Sequence, residues 1–486
     1  MLEREIKLQV PDGARAAVRA AVQGRGRAPT TRLQAVYADS ADARLAAAGL
    51  ALRLRKEGRH WVQALKGRGD GLLQRIEHEV PVPSPRGWPL PDPARHDGTP
   101  AGEALRRALG EAPLQVVYTT DIRRTHRLLR HRGATIEIAW DEGRLEAGSR
   151  FLPVCELELE LKNGDVPALL DLAGKWALRH GLWLDVRTKS ERGQRLARDL
   201  ERVPAVKAQA AVWAPPSSCA AVSAASMRGA LAQALPNAAE LAAGTGAAEH
   251  LHQLRVGLRR LRSALRLFGP WFADPGAALA LEAAWRPLFA RLGSARDADV
   301  VEAAFGDALR AAGAPELARV APVDADVGAL LRDPPFTQAF LQALALAEPP
   351  PARAEPLALR PAAAQVLQRA WRQAMREAPD FATAEADVQH RLRKRLKRLR
   401  YGIEFLQPLW PAARAARQLR VLCEALDELG HWNDLSVAEH HFRARTAEEP
   451  GAWFAVGWLA ARRPRQLRRC TKVLHRLGEQ RRCWKG

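Results

Sequence analysis

Glu3-Arg4-Glu5-Ile6-Lys7 alternates charge with bulk, the pattern of a half-buried strand. Side chains along a strand switch faces at every step, so Glu3, Glu5 and Lys7 share one face. Two carboxylates beside an ammonium can hold a hard cation and a phosphate oxygen together, which none of the three could do alone. So short a match is more often an exposed face with ordinary salt-bridge partners. Its meaning therefore rests on what the other strands present.

Outward from this stretch, to about Val203, short charged and apolar runs of period two alternate with Gly, Pro and Asp. This predicts a mostly antiparallel sheet with a few helices. The candidate strands are residues 3–10, 34–38, 50–56, 61–66, 75–81, 115–129, 134–142, 144–147 and 154–162, about enough to close a barrel. Residues 165–180 instead carry Leu169, Leu172, Ala173 and Trp176 at helical spacing. The opening charge pattern recurs on other strands, in Arg53 with Arg55, in Arg75, Glu77 and Glu79, in Glu137 and Asp141, and in Glu156, Glu158 and Glu160, while Lys66 closes another. Carboxylates and cations segregate by strand. Brought into one lumen, they would suit a polyphosphate chain with divalent cations, carboxylates on the metal and Arg or Lys on the phosphate oxygens.

Composition bounds the rest. A chain of 486 residues is expected to form two or three domains. Lys plus Arg exceed Asp plus Glu by 75 to 54, a net charge of +21, which makes an acidic polymer the first partner to consider. The 5 cysteines are scattered without any CxxC spacing, which fits reduced thiols in a cytosolic protein and not a zinc site. No apolar run follows the N-terminus, so no signal peptide is expected, and residues 452–461 fall short of the ~20 a membrane span needs. A cytoplasmic protein with no membrane partner is the expectation.

Three prolines in 203–218 mark a boundary, after which Ala, Leu and Arg dominate at periods near 3.6. The expected class is α+β, with domains at 1–203 and 217–486 and a linker at 204–216. The helical half repeats itself, about 217–348 and 362–486. An offset of 138 residues brings His252, Arg255, Arg259, Arg260 and Arg262 onto His390, Arg393, Lys397, Arg398 and Arg400, and four leucines onto Leu392, Leu396, Leu399 and Ile403. Arg296-Asp297 and Asn433-Asp434 follow each histidine at nearly equal distance. His252, Arg255, Arg259, Arg262 and Arg266 lie along one helical stripe, and residues 390–400 hold seven Lys or Arg, Lys394 among them, without an acid. Such self-repulsion calls for anions. Nucleic acid is disfavoured because no reading motif is present and only 3 tyrosines could stack on bases.

The first half resembles the CYTH, or triphosphate tunnel metalloenzyme, family. EREIK is similar to its ExExK signature, VYADS to its second strand and LALRLR to its paired-arginine strand; ALKG, RIEHEV, IEIAWDEG, CELELELKNGD and TKSERG follow in the family's order. The resemblance implies an eight-stranded antiparallel tunnel that hydrolyses a triphosphate with Mg2+ or Mn2+. It assigns Glu3, Glu5, Glu158 and Glu160 to the metal, Lys7, Arg53, Arg55, Lys66, Arg124 and Lys189 to the phosphates, and catalysis to Glu3, Glu5 and Lys7. Inorganic triphosphate is the expected substrate, with thiamine triphosphate hydrolysis, adenylate cyclisation or a purely binding scaffold as alternatives. The second half resembles the CHAD domain in HQLRVGLRRLRSALRLF and HRLRKRLKRLRYGIEFL. That resemblance implies two pseudo-symmetric helical bundles binding inorganic polyphosphate through His252, Arg255, Arg259, Arg260, Arg262, His390, Arg393, Lys394, Lys397 and Arg400. The second copy departs at Glu404, which stands where the first has Arg266.

Overall fold

Strand alternation closes into a ring. A computed structural model describes residues 2–26, 28–69, 72–85, 87–210, 213–214, 217–292, 305–316, 326–348 and 358–485. Strands β1 (Leu2–Gln9), β2 (Thr30–Ser40), β3 (Leu50–Glu57), β4 (His60–Arg68), β5 (Gln74–Val82), β6 (Leu114–His131), β7 (Ala134–Ala147) and β8 (Arg150–Asn163) run in the spatial order β5-β4-β3-β2-β6-β7-β8-β1. A further pairing of β5 with β1 closes the ring, and the two-residue β9 (Trp183–Leu184) adds to the other side of β1. All neighbours are antiparallel, so the expected α+β class and eight-stranded tunnel are found, with β9 as an addition.

One expectation is corrected. Residues 134–142 and 144–147 form a single strand, β7, although Gly143 reads as a break. At Gly143 a Cβ would lie 2.1 Å from the Asp121 carbonyl oxygen, so glycine is present because the backbones approach closely.

Short helices α1 (Arg15–Gln23), α2 (Arg44–Ala47), α3 (Pro100–Leu109) and α4 (Val166–His180) flank the ring, whereas α5 (Lys189–Ala197) packs on the cluster of Tyr37 and Tyr118 and sends Lys189 and Arg192 to the inner-face carboxylates. Asp165 caps α4 through the Ala168 amide, and Leu169, Leu172 and Ala173 are buried as their spacing predicts. Thr188 and Glu191 form a reciprocal capping box that fixes where α5 begins.

Among its described residues the later chain forms helices and no strand: α6 (Cys219–Ala242), α7 (Ala248–Phe268), α8 (Pro275–Arg291), α9 (Val327–Arg332), α10 (Pro334–Ala347), α11 (Leu359–Met375), α12 (Ala386–Phe405), α13 (Ala412–Arg443), α14 (Ala452–Ala460) and α15 (Arg463–Glu479). Helices α7 and α12 begin at repeat-equivalent residues, and each buries its leucine seam. Arg296-Asp297 lies outside the described residues. The chain divides into two compact units. One comprises Met1–Ala208, Leu231–Leu254 and Gly328–Glu348; the other comprises Gln209–Ala230, Arg255–Val327 and Pro349–Gly486.

Candidate active site and basic helical face

In the first unit, strand register decides which charges meet. Across β1 and β8, Glu5 pairs with Glu160, Lys7 with Glu158 and Gln9 with Glu156. Across β7 and β8, Glu137 pairs with Glu160 and Asp141 with Glu156. Same-face neighbours at such positions stand about 4.5–5.5 Å apart at Cβ, so the carboxylates form rows. The intervening Ile6, Leu8, Leu157 and Leu159 are buried on the opposite face.

Cations from three elements reach one end of these rows. Arg124 forks onto both oxygens of Asp141 at 2.7 Å and also reaches Glu158. Arg123 is exposed, so Arg124 is the inward member of that pair. Lys189, the first residue of α5, puts Nζ 2.7 Å from Asp141 and from Glu158 and in contact with Glu156. Arg192, one turn further, pairs with Glu156. Lys7, 7% exposed, donates to the Arg187 carbonyl at 3.0 Å. Burial opposes ionisation of Glu156, but Arg192, Lys189 and Lys7 bring it down to about 2. Glu158 is held well below its ordinary range, with burial opposed by Lys189, Arg124 and Lys7.

The other wall is built from β3, β4 and β5. Lys66 sits 3.0 Å from Glu3 and 2.9 Å from Glu77. Arg53 lies 3.6 Å from both Glu77 and Glu79 and donates to the Tyr37 hydroxyl at 3.3 Å, while Arg55 pairs with Glu57 and Glu79. The buried Nε atoms of Arg53 and Arg55 have no hydrogen-bond partner. Burial, opposed by Lys66 and reinforced by Glu77, raises Glu3; burial, opposed by Lys162 and reinforced by Glu3, raises Glu160.

The sequence-selected carboxylates thus divide. Glu158 groups with Asp141 and Glu156, whose oxygens lie within 4.8 Å of one another but already surround the Lys189 ammonium. Glu3, Glu5 and Glu160 lie toward the other end, where two carboxyls are raised by burial near other carboxylates. Carboxylate oxygens are the donor type a hard divalent cation takes, but among the described residues only Asp141, Glu156 and Glu158 bring three such oxygens within 4.8 Å of one another, while Glu3 holds Lys66 and Glu160 holds Lys162. Asp141 and Glu156 were legible as acidic-row members but not as acceptors for Lys189. Arg192 was legible only as the residue one helical turn after Lys189. Tyr37, stacked on Tyr118 at 4.5 Å, gave no charge signal.

In the second unit, α7 and α12 present the repeated basic residues. Among the described residues, Arg259, Arg393, Lys394 and Lys397 form no ion pair, and the Nε atoms of Arg259 and Arg393 are buried without a hydrogen-bond partner. Arg393 lies beside Gly430, where a Cβ would stand 3.4 Å from its Nη2. Burial, then the Arg393, Arg259 and Arg400 charges, push Lys397 down to about 7. The His390 Nδ1 lies 3.1 Å from the Asn433 amide oxygen, joining two residues that the repeat had singled out. Burial and then Lys394 lower the His390 pKa.

Other selected residues have different surroundings. Arg260 is 5% exposed, pairs with Glu404 at 2.6 Å and lies over Tyr401 and Phe405. Arg400 also pairs with Glu404, so the residue that breaks the repeat's basic stripe holds two arginines. Arg255 donates to the Leu292 carbonyl, and Arg262 pairs with Glu282. His252 stands on the same helix, α7, one turn before Arg255.

Residues 1–193 match the family model of the CYTH domain, and residues 225–443 match that of the CHAD domain. An inorganic triphosphatase of Haemophilus influenzae is 30% identical over 165 residues, covering 32% of this chain and 44% of that protein. The chain thus spans under half the length of this curated relative. Among solved structures, the CHAD domain from the plant Ricinus communis is 26% identical, covering 57% of this chain and 98% of that one, with a TM-score of 0.46. A Hippeastrum protein with a dominant triphosphatase activity is 16% identical, covering 40% of this chain and 95% of that one, with a TM-score of 0.28. Among the described residues, no helix is long and apolar enough to cross a membrane.

Proposed function

Since the chain joins a CYTH domain to a CHAD domain, we propose that its ring hydrolyses inorganic triphosphate to pyrophosphate and phosphate and that its helical half binds inorganic polyphosphate. The observation that carries the first part is the facing of two walls. Arg53, Arg55 and Lys66 line one, and Lys7, Arg124 and Lys189 reach the other, with carboxylates between them.

A triphosphate entering the ring would take over cation contacts that the carboxylates now hold. Arg53 and Arg55 offer planar forks with unused donors, and Lys7, Lys66 and Lys189 offer point charges. Glu3, Glu5 and Glu160 would hold Mg2+ or Mn2+, and a divalent ion there supplies neutralisation of charge on the phosphoryl oxygens. The buried walls keep water from competing for these contacts, so each electrostatic interaction counts for more than in bulk solvent.

Purified full-length protein should release phosphate from tripolyphosphate with Mg2+, stop on chelation with EDTA and resume when the metal is restored. Thiamine triphosphate and ATP should be poorer substrates by kcat/KM. Metal-independent binding without phosphate release would instead mark a scaffold, and preference for either organic triphosphate would reassign the substrate.

In the helical half, Arg259, Arg393, Lys394 and Lys397, which form no ion pair among the described residues, support polyanion binding. Lys397 sits at about 7 when free, and a bound polyanion would raise it by favouring the ammonium. Affinity should therefore weaken as pH rises through 7, with proton uptake on binding. Calorimetry of polyphosphate in buffers of different ionisation heat reads both effects. Lys397→Arg should remove most of the pH dependence while retaining affinity.

A further inference from the structure

The ring is not held by its own family segment alone. Glu240 belongs to α6, outside the span of the CYTH match and inside that of the CHAD match, yet it lies in the same compact unit as the ring. It is 5% exposed. Arg195 Nη1 donates to both of its oxygens at 2.8 Å, the Thr245 hydroxyl donates at 2.5 Å, and Arg187 Nη1 lies 3.8 Å away. A carboxylate so buried and so fully engaged is fixed in place, and it fixes what it touches.

Both arginines lead into the tunnel. Arg187 forks onto Asp185 with Nε at 3.0 Å and Nη2 at 2.8 Å, and its backbone carbonyl accepts the Lys7 ammonium at 3.0 Å. Asp185, fully buried, also accepts from Gln9, the residue two beyond Lys7 on the same face of β1. Arg195 stands on α5, whose first turn carries Lys189 and Arg192 onto Asp141, Glu156 and Glu158. One carboxylate therefore touches both the loop that receives Lys7 and the helix that delivers Lys189.

We propose that Glu240 is a positioning residue for triphosphate binding in the ring: it acts through Arg187 and Arg195 to set Lys7 and Lys189, so the tunnel depends on a side chain supplied by the sequence of the helical half. The inference rests on the tunnel reading above. Partners that orient metal ligands change affinity or activity by about 10- to 100-fold when replaced, and the lower end of that range is the scale expected for a carboxylate that orients two phosphate-binding lysines.

The test uses full-length protein and the variants Glu240→Gln and Glu240→Asp, with exposed Glu103→Gln as a control. Tripolyphosphate binding is measured by calorimetry in EDTA, so turnover plays no part, and the folded fraction is followed by circular dichroism at the same temperature. Binding should weaken about tenfold in Glu240→Gln, recover partly in Glu240→Asp and stay at the native value in the control. The double variant Lys7→Met with Glu240→Gln should lose less than the sum of the single losses, because the second acts partly through the first. Native affinity in a folded Glu240→Gln overturns the proposal, as does a loss that tracks only the unfolded fraction or strict additivity with Lys7→Met. Native protein that binds tripolyphosphate but releases no phosphate sinks the hydrolase reading while leaving this readout in force. Native protein that does not bind it in EDTA overturns this proposal, while phosphate release with Mg2+ decides the hydrolase reading separately.

Discussion

Lys189→Met should abolish triphosphate hydrolysis and remove about 3 kcal/mol of stability at neutral pH, the scale for breaking a buried ion pair from one side. Lys189 is 14% exposed and touches three carboxylates, of which Asp141 and Glu156 are at most 1% exposed. Methionine fills a similar volume but leaves the carboxylates short of one positive charge. The pH profile separates this cause from a packing defect. In the native protein Glu156 is depressed from 4.5 to about 2, so its stabilisation is complete above about 4.5 and is lost as pH falls through 2. In the variant, the carboxylates lose an attraction that opposed their burial, and protonation relieves them. Its denaturant midpoint should rise as pH is lowered from 7 toward 4, while the native midpoint holds or falls. A variant midpoint that follows the native profile would refute the electrostatic account.

Gly143→Ala should destabilise the ring by about 3 kcal/mol, at the upper end for overpacking, because the obstruction is backbone and cannot rotate away. The added Cβ would lie 2.1 Å from the Asp121 carbonyl oxygen and 2.8 Å from the Ile122 Cα, at the pairing of β6 with β7. Relief requires the strands to part where Arg124 and Asp141 pair two residues away, so tripolyphosphate affinity should fall along with the thermal midpoint. Gly148→Ala at the β7–β8 turn tests the geometric cause: nothing lies within 4 Å of its added Cβ, and its cost comes from a φ of +61° alone. It should lower the midpoint without the same loss of affinity.

Much of the tunnel was legible because two-residue alternation survives as geometry. Glu3, Glu5, Lys7, Arg53, Arg55, Lys66, Glu158 and Glu160 fall on strands as read, and their parity places them together on the inner face. The repeat was legible for a similar reason, since its apolar seam and basic stripe share a helical period, and both seams are buried. Gly143 was misread because a glycine needed for close strand approach and a glycine that ends a strand look alike in sequence. Arg260 was read with its basic neighbours, yet it is buried against Glu404, a partner 144 residues away. Periodicity names a face but does not say which neighbour will pack on it.

Local order in the chain thus determined the elements, the side-chain parity of each strand and the excess of cations over acids. Those properties depend on covalent sequence and on periods of 2 and 3.6 residues. Tertiary structure alone decided that Lys189 completes the cluster of Asp141, Glu156 and Glu158, that Glu3 and Glu160 are the carboxyls raised by burial, and that Glu240 reaches the frame of the ring. Each of these facts depends on distances between residues far apart in the chain. Coulombic and desolvation energies are set by those distances and by burial, neither of which a linear pattern contains.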